Sequence, residues 1–308
     1  MTVPLCCVVG PTAAGKSALA MALAEARQLA IISADSRQVY CRFDIGTAKP
    51  TSAERARVSH FGVDVVSPTE RYSAHRWAQS AEQWMQQAHE AGASPLVVGG
   101  TGLYIRALVQ PLDPVPTLDA QRRAALAPWL AALPLWELQR WCAQLDPSRA
   151  HLGRTQLQRA VETALLDGTR LSDRLGQSDT PARPVRYLVV DPGAALATRI
   201  AARVEAMLAA GFVEEVERLN REIPADAPAW NASGYGVMRA AVEGTMSRGA
   251  AIERVIIETR QYAKRQRTWF RHQLPAPLVT VVNPLEDNAL DVALAWWDAA
   301  QQSNGADR

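Results

Sequence analysis

The chain has 308 residues, 48% of them apolar and 21% charged, which is the make-up of a folded protein with enough apolar side chains for its own core. Its formal charge of +2 leaves any nucleic-acid surface to local clustering, and no run of about eighteen apolar residues exists, which excludes a helical membrane span. Cys6, Cys7, Cys41 and Cys142 have no framework or zinc spacing, and the first residues lack a leader pattern, so the reading is a cytoplasmic protein with reduced, mostly buried thiols.

The pattern opens with an apolar strand over 5–9, a glycine-rich turn and an apolar-periodic helix from Ser17 to about Gln28. Further strands are expected at 30–33, 62–66, 95–98, 186–190 and 277–282, with helical patterns between them. Strands alternating with helices predict an α/β fold, a P-loop NTPase-like parallel sheet flanked by helices. Ligands of such sheets sit at the carboxyl ends of the strands, where Gly10, Asp35 and Gly99 fall. Proline-rich stretches bracket a segment of helical patterns without a good strand. The expected division is therefore a catalytic core over 1–112 and 186–308 and a small all-helical insertion over 113–185. Residues 303–308 read as a frayed tail.

Gly10-Pro11-Thr12-Ala13-Ala14-Gly15-Lys16-Ser17 fits G-x-x-x-x-G-K-[ST] between a strand and a helix. Glycines let the backbone wrap phosphate oxygens, and amides at the helix start point at the anion. Lys16 supplies a mobile charge, and the Ser17 hydroxyl is placed to ligate Mg²⁺. The loop alone does not choose the phosphate compound. Asp191 has two readings, an acid near a metal or a cap where the chain turns into a helix before Pro192. Asp35-Ser36-Arg37-Gln38 follows the second strand as a dense polar surface, with a capping turn as the alternative reading. Gly99, Gly100 and Gly102 surround Thr101 and are expected to let a large ligand approach the backbone. Near the carboxyl terminus, Arg260, Lys264, Arg267 and Arg271 share one helical face with Arg265 beside it. That stripe suits a nucleic-acid backbone, with a solvated helix face as the alternative reading, and Trp269 and Phe270 read as core ahead of base-stacking platforms.

GPTAAGKS, SADSRQVY, DIGTAKP, LVVGGTGLY, GFVEEV and TRQYAKRQRTWFR, in this order, resemble the bacterial tRNA dimethylallyltransferases from Val3 to about Arg271. The resemblance implies that the loop holds the diphosphate of dimethylallyl diphosphate, with Mg²⁺. The acceptor would be the N6 amine of adenosine 37 in the tRNA anticodon stem-loop, which the insertion helps to grip. It places Asp35 as general base, with Thr101 orienting either that carboxylate or the acceptor amine and Lys16 stabilising the leaving group. It places Asp35, Ser36, Arg37, Gln38, Thr101, Arg123, Arg159, Lys264, Arg265, Gln266 and Arg271 against tRNA. The chain departs from the family pattern at Leu152-Gly153-Arg154-Thr155, where an Asn-Asp pair is usual, and at Gly236, where a basic residue is usual. A monomer is expected. The rival classes are a P-loop kinase of a nucleoside or small metabolite and a non-catalytic, nucleotide-switched RNA-binding protein.

Overall fold

In a computed structural model of the protein, residues 3–110, 118–175 and 182–302 are described. β1 (Leu5–Val9) has all five residues buried and leads through the glycine-rich loop to α1 (Lys16–Arg27). Gln28, left-handed at φ 53°, closes that helix one residue before β2 (Leu29–Ser33). α2 (Ser52–Arg57) starts at a reciprocal Thr51–Glu54 capping box, and β3 (His60–Phe61) follows it. α3 (Ala74–Glu90), β4 (Ser94–Gly99) and α4 (Gly102–Val109) come next. A separate compact unit, residues 111–181, contributes α5 (Ala120–Ala132), α6 (Leu135–Leu145) and α7 (Arg154–Asp167). The chain then returns with β5 (Val185–Val190), α8 (Leu196–Ala209), α9 (Phe212–Glu222) and α10 (Tyr235–Val242). It ends with α11 (Arg248–Gln273), β6 (Val279–Val282) and α12 (Ala289–Gln302). The tail at 303–308 lies outside the described residues.

The strands form one sheet in the order β3-β2-β4-β1-β5-β6, and every pairing is parallel. β1 is flanked by β4 and β5, with Val9 opposite Gly99 on one side and Val189 on the other. Helices cover both faces, so the central strands are continuous apolar runs without alternation. α1 and α12 pack on one face through Leu23, Trp296 and Trp297 against Leu96 and Leu188. Cys6 and Cys7 are buried within β1, and burial pushes the Cys6 thiol up to about 12.

The expected strand at 62–66 does not form. The pairing moves to His60–Phe61, because Gly62 at φ 77° and Asp64 at φ 57° are left-handed and interrupt an extended run. Val66 keeps only an isolated bridge to Tyr40. At the last strand, Ala276–Leu278 form a short 3₁₀ turn and pairing starts at Val279.

The helical unit has its own core of Leu130, Leu138, Cys142, Leu157 and Val161. Asp146 is fully buried there. Its carboxylate accepts from the Ser172 backbone N–H at 3.0 Å and the Ser148 hydroxyl at 3.1 Å. These hydrogen bonds hold its ionisation below the usual carboxylate range against the opposing effect of burial, which is the largest single influence.

Candidate active site at the carboxyl edge of the sheet

The phosphate loop leaves β1 at Gly10, whose φ is 148° and whose Cβ would lie 2.3 Å from the Val190 carbonyl oxygen of β5. No side chain fits there, so the loop stays pressed against the sheet. Ala13 is left-handed at φ 61°, and its carbonyl accepts from Arg199 Nε of α8 at 3.0 Å. The Thr12 backbone N–H donates to Gln266 Oε1 of α11 at 2.8 Å. Lys16 opens α1 half-buried and donates from Nζ to the Pro11 carbonyl at 2.7 Å, curled over the loop. Burial first, then the positive charge of Arg203, lowers the Lys16 ammonium to about 8, while Asp35 opposes both. Ser17 beside it is exposed.

Asp35, Ser36, Arg37 and Gln38 follow β2 directly. The Arg37 backbone N–H donates to Asp35 Oδ1 at 2.8 Å, so the capping turn forms and Asp35 still lies among charged groups. Its carboxylate acts electrostatically on Lys16, Arg203 and Tyr262. Thr101 caps the end of β4. Its hydroxyl accepts from the Ser36 backbone N–H at 3.0 Å and donates to Ser36 Oγ at 3.3 Å, and its own backbone N–H donates to Ala34 O at 3.1 Å. Thr101 thus fixes the turn that carries Asp35. Gln38 is committed within the fold: its Oε1 accepts from the Ser33 hydroxyl at 2.9 Å, and its Nε2 donates to Thr47 O at 3.2 Å and Ala48 O at 2.9 Å.

Those two carbonyls belong to the DIGTAKP segment, which is held from below by buried groups. Glu215 of α9, 5% exposed, accepts from the Ile45 backbone N–H at 2.9 Å and from the Tyr235 hydroxyl at 2.5 Å. Tyr235 in turn accepts from the Gly46 N–H at 3.0 Å. Burial, followed by the Glu215 charge, pushes the Tyr235 phenol far up, so it stays a neutral donor. Lys49 anchors the far end by donating to Tyr40 O at 2.6 Å and to Asp44 and Asp64 at 2.6 and 2.5 Å. Glu215 of the GFVEEV segment and Tyr235 of α10 therefore position this loop.

Sequence reasoning missed Arg203 of α8 and Tyr262 of α11. Both line a narrow cavity of about 50 Å³ together with Thr12, Asp35 and Arg37. Arg203 makes no ion pair among the described residues. Burial lowers its guanidinium from the usual arginine range, with Asp35 opposing. Burial first and Asp35 second push the Tyr262 phenol up to about 12. The missed signal was spacing: Arg199 and Arg203 stand four apart on one helix, so both reach the loop side of α8.

Several expected positions turn out differently. Gly99, Gly100 and Gly102 make room for protein rather than for a ligand: a Cβ would meet Ala34 O at 2.2 Å, Gln266 Nε2 at 2.2 Å and the Trp269 ring at 2.4 Å. Gln266 faces inward at 6% exposure, with Nε2 donating to Gly100 O at 2.8 Å, so both ends of its amide clamp the phosphate loop to the end of β4. In the basic stripe Arg260, Lys264, Arg265 and Arg271 are exposed, but Arg267 turns to Asp191 Oδ1 at 2.5 Å and Gly193 O at 2.9 Å. The same Asp191 oxygen accepts from the Gly193 N–H at 2.9 Å, so Asp191 is a cap and an arginine partner. In the helical unit, Arg123 and Arg159 both pair with Glu162, at 2.7 and 2.9 Å.

Residues 38–273 match the family model described as IPP transferase, and residues 3–61 match one described as isopentenyl transferase. The chain belongs to the IPP transferase family. Among curated relatives, the chain is 42% identical over 296 residues to the tRNA dimethylallyltransferase of Halorhodospira halophila, spanning 93% of this chain and 96% of the relative. It is 39% identical over 291 residues to the tRNA dimethylallyltransferase of Neisseria meningitidis serogroup A, spanning 91% and 92%. The crystal structure of the full-length tRNA isopentenylpyrophosphate transferase of Bacillus halodurans is 28% identical to it, with a TM-score of 0.71 and 98% of each chain covered.

Proposed function

We propose that this chain transfers a dimethylallyl group from dimethylallyl diphosphate to the N6 amine of an adenosine in the anticodon stem-loop of tRNA. The observation that carries the reading is the gathering of Asp35, Lys16 and the unpaired Arg203 at the carboxyl edge of the sheet in a member of this family. The loop amides, Lys16 and Arg203 bind the diphosphate and stabilise the charge it gains as the allylic C–O bond breaks. The adenine amine is a poor nucleophile because its lone pair is delocalised into the ring. Asp35 takes its proton as the C–N bond forms, and general-base help of this kind is worth about 10²–10⁴-fold. Ser36 and Thr101 hold the turn that aims Asp35. The acceptor base leaves the loop stack to reach the site.

Mg²⁺ fits this arrangement. The exposed Ser17 hydroxyl stands beside Lys16 at the start of α1, and Mg²⁺ is commonly held by one or two protein oxygens plus substrate phosphates and water. When bound there it supplies charge to the leaving diphosphate. The bonds of Asp191 to Arg267 and Gly193 support its capping reading over a part in holding the metal. Lys264, Arg265 and Arg271, exposed on α11, contact RNA phosphates, with Arg123 and Arg159 contributing from the helical unit. The test is incubation of the protein with unmodified tRNA, Mg²⁺ and dimethylallyl diphosphate, followed by mass spectrometry of the digested nucleosides. Dimethylallyl-adenosine is the expected product. Unmodified tRNA together with turnover of ATP would support a kinase instead.

A further inference from the structure

A second cavity lies at the opposite, amino edge of the sheet and has a volume of about 870 Å³. Its wall includes Pro4 just ahead of β1 and Val185 at the start of β5. The phosphate loop leaves the other end of β1, about 13 Å away for a five-residue strand rising ~3.3 Å per residue. No wall residue is shared with the cleft of Asp35 and Arg203. The size falls within the ~300–1,000 Å³ of small-molecule sites.

The chemistry of the wall is one-sided. Tyr187, Trp269 and Trp296 give it an aromatic base. Among the described residues its charged members are Arg106, Arg183 and Arg186, and it holds no carboxylate. Arg183 is committed to Glu82 at 2.6 Å, whereas Arg106 is exposed on α4 and forms no ion pair among the described residues. Trp296 is 5% exposed, and its indole N–H has no hydrogen-bond partner among the described residues. A buried donor left unmet is uncommon in folded proteins and invites an acceptor. Gln110 and Ala182, where the chain leaves and re-enters this unit, also stand in the wall.

We propose that this cavity binds a small amphipathic anion. Its flat apolar body rests on Trp269, Trp296 and Tyr187, and a carboxylate, sulfonate or phosphate meets Arg106. Aromatic faces supply the burial, and the arginine selects anions over neutral or cationic analogues.

The probe is 8-anilinonaphthalene-1-sulfonate, titrated into the full chain with saturating inorganic diphosphate and Mg²⁺ present. Tryptophan is excited and energy transfer to the probe is read. One saturable site per chain is expected. Arg106→Glu and the cavity-filling Thr280→Trp should each weaken it about tenfold or more, a loss of ~1.4 kcal/mol, while Lys16→Ala leaves it unchanged. Circular dichroism verifies that each variant is folded. The proposal is overturned by absence of a saturable site under saturating diphosphate, or by an affinity that neither Arg106→Glu nor Thr280→Trp alters. None of these outcomes bears on prenyl transfer, which is read separately by mass spectrometry.

Discussion

Arg260, Lys264, Arg265 and Arg271 of α11 stand exposed, and none forms an ion pair among the described residues, whereas Arg123 and Arg159 of the helical unit share the Glu162 carboxylate. The two regions look alike as runs of basic residues but differ in the charge they can offer. The helical cluster carries two positive charges and one negative, a net of +1, and the Glu162 side chain is only 8% exposed and cannot swing away. A phosphate approaching it competes with a bond already made. On α11 a phosphate meets cations that form no ion pair among the described residues, Arg265 resting over the Tyr262 ring, and release of counterions favours binding. Pairing, more than residue type, ranks the arginines.

Apart from loss of the general base itself, the largest expected effect separates chemistry from RNA affinity. Lys16→Ala should lower the single-turnover rate at saturating substrates by about 10²–10³-fold, the usual scale for losing a group that stabilises developing charge, with tRNA affinity unchanged. A pH series refines it. Burial and Arg203 lower the Lys16 ammonium to about 8, so the free enzyme loses that charge as pH rises through this value. Inorganic diphosphate should then bind the wild type progressively less well, relative to Lys16→Ala, above about pH 8, and the advantage should be full below it. Equal pH dependence of the two proteins by calorimetric titration would remove Lys16 from the anion site.

Next in size are the α11 substitutions. Lys264→Ala and Arg271→Ala should each weaken every tRNA substrate about equally. Each should reduce the slope of log affinity against log salt by roughly 0.7–0.9, as expected for one lost phosphate contact. Unchanged slopes for both would make the stripe a solvated helix face. The smallest effect is expected for Arg123→Ala, whose slope change should fall below that of Lys264→Ala. Glu162→Gln should move the slope the other way by releasing both arginines. If Arg123→Ala matches Lys264→Ala in a salt titration, the distinction between paired and unpaired arginines fails.

Much of the carboxyl edge was legible because its signals are local. The glycine-rich loop, the apolar strands and Asp35 just past β2 need no knowledge of distant partners. What escaped depends on long-range placement. Gln266 sits in a basic run and reads as an RNA contact, yet Ala263, Gln266 and Phe270 form the buried stripe of α11, three and four residues apart. That period was available and was outweighed by the surrounding charges. The glycines around Thr101 announce close approach without saying what approaches, and Gln266 and Trp269 come from more than 160 residues away. Arg203 shares an alanine-rich helix with Arg199, four residues before it, and only the fold brings it to Asp35. The strand expected at 62–66 failed because two left-handed residues, Gly62 and Asp64, outweigh its apolar content.

The central claim, that the Asp35 carboxylate takes the proton from the acceptor amine, is tested most directly by a single-turnover measurement on Asp35→Asn with tRNA and dimethylallyl diphosphate both bound. Asparagine can still accept the Arg37 N–H that now goes to Asp35 Oδ1, so the turn is kept, but it cannot take a proton at neutral pH. The account predicts unchanged affinity for both substrates and a rate lowered by about 10²–10⁴-fold. A variant that keeps more than about a tenth of the wild-type rate would leave Asp35 as a turn-forming residue and contradict the assignment.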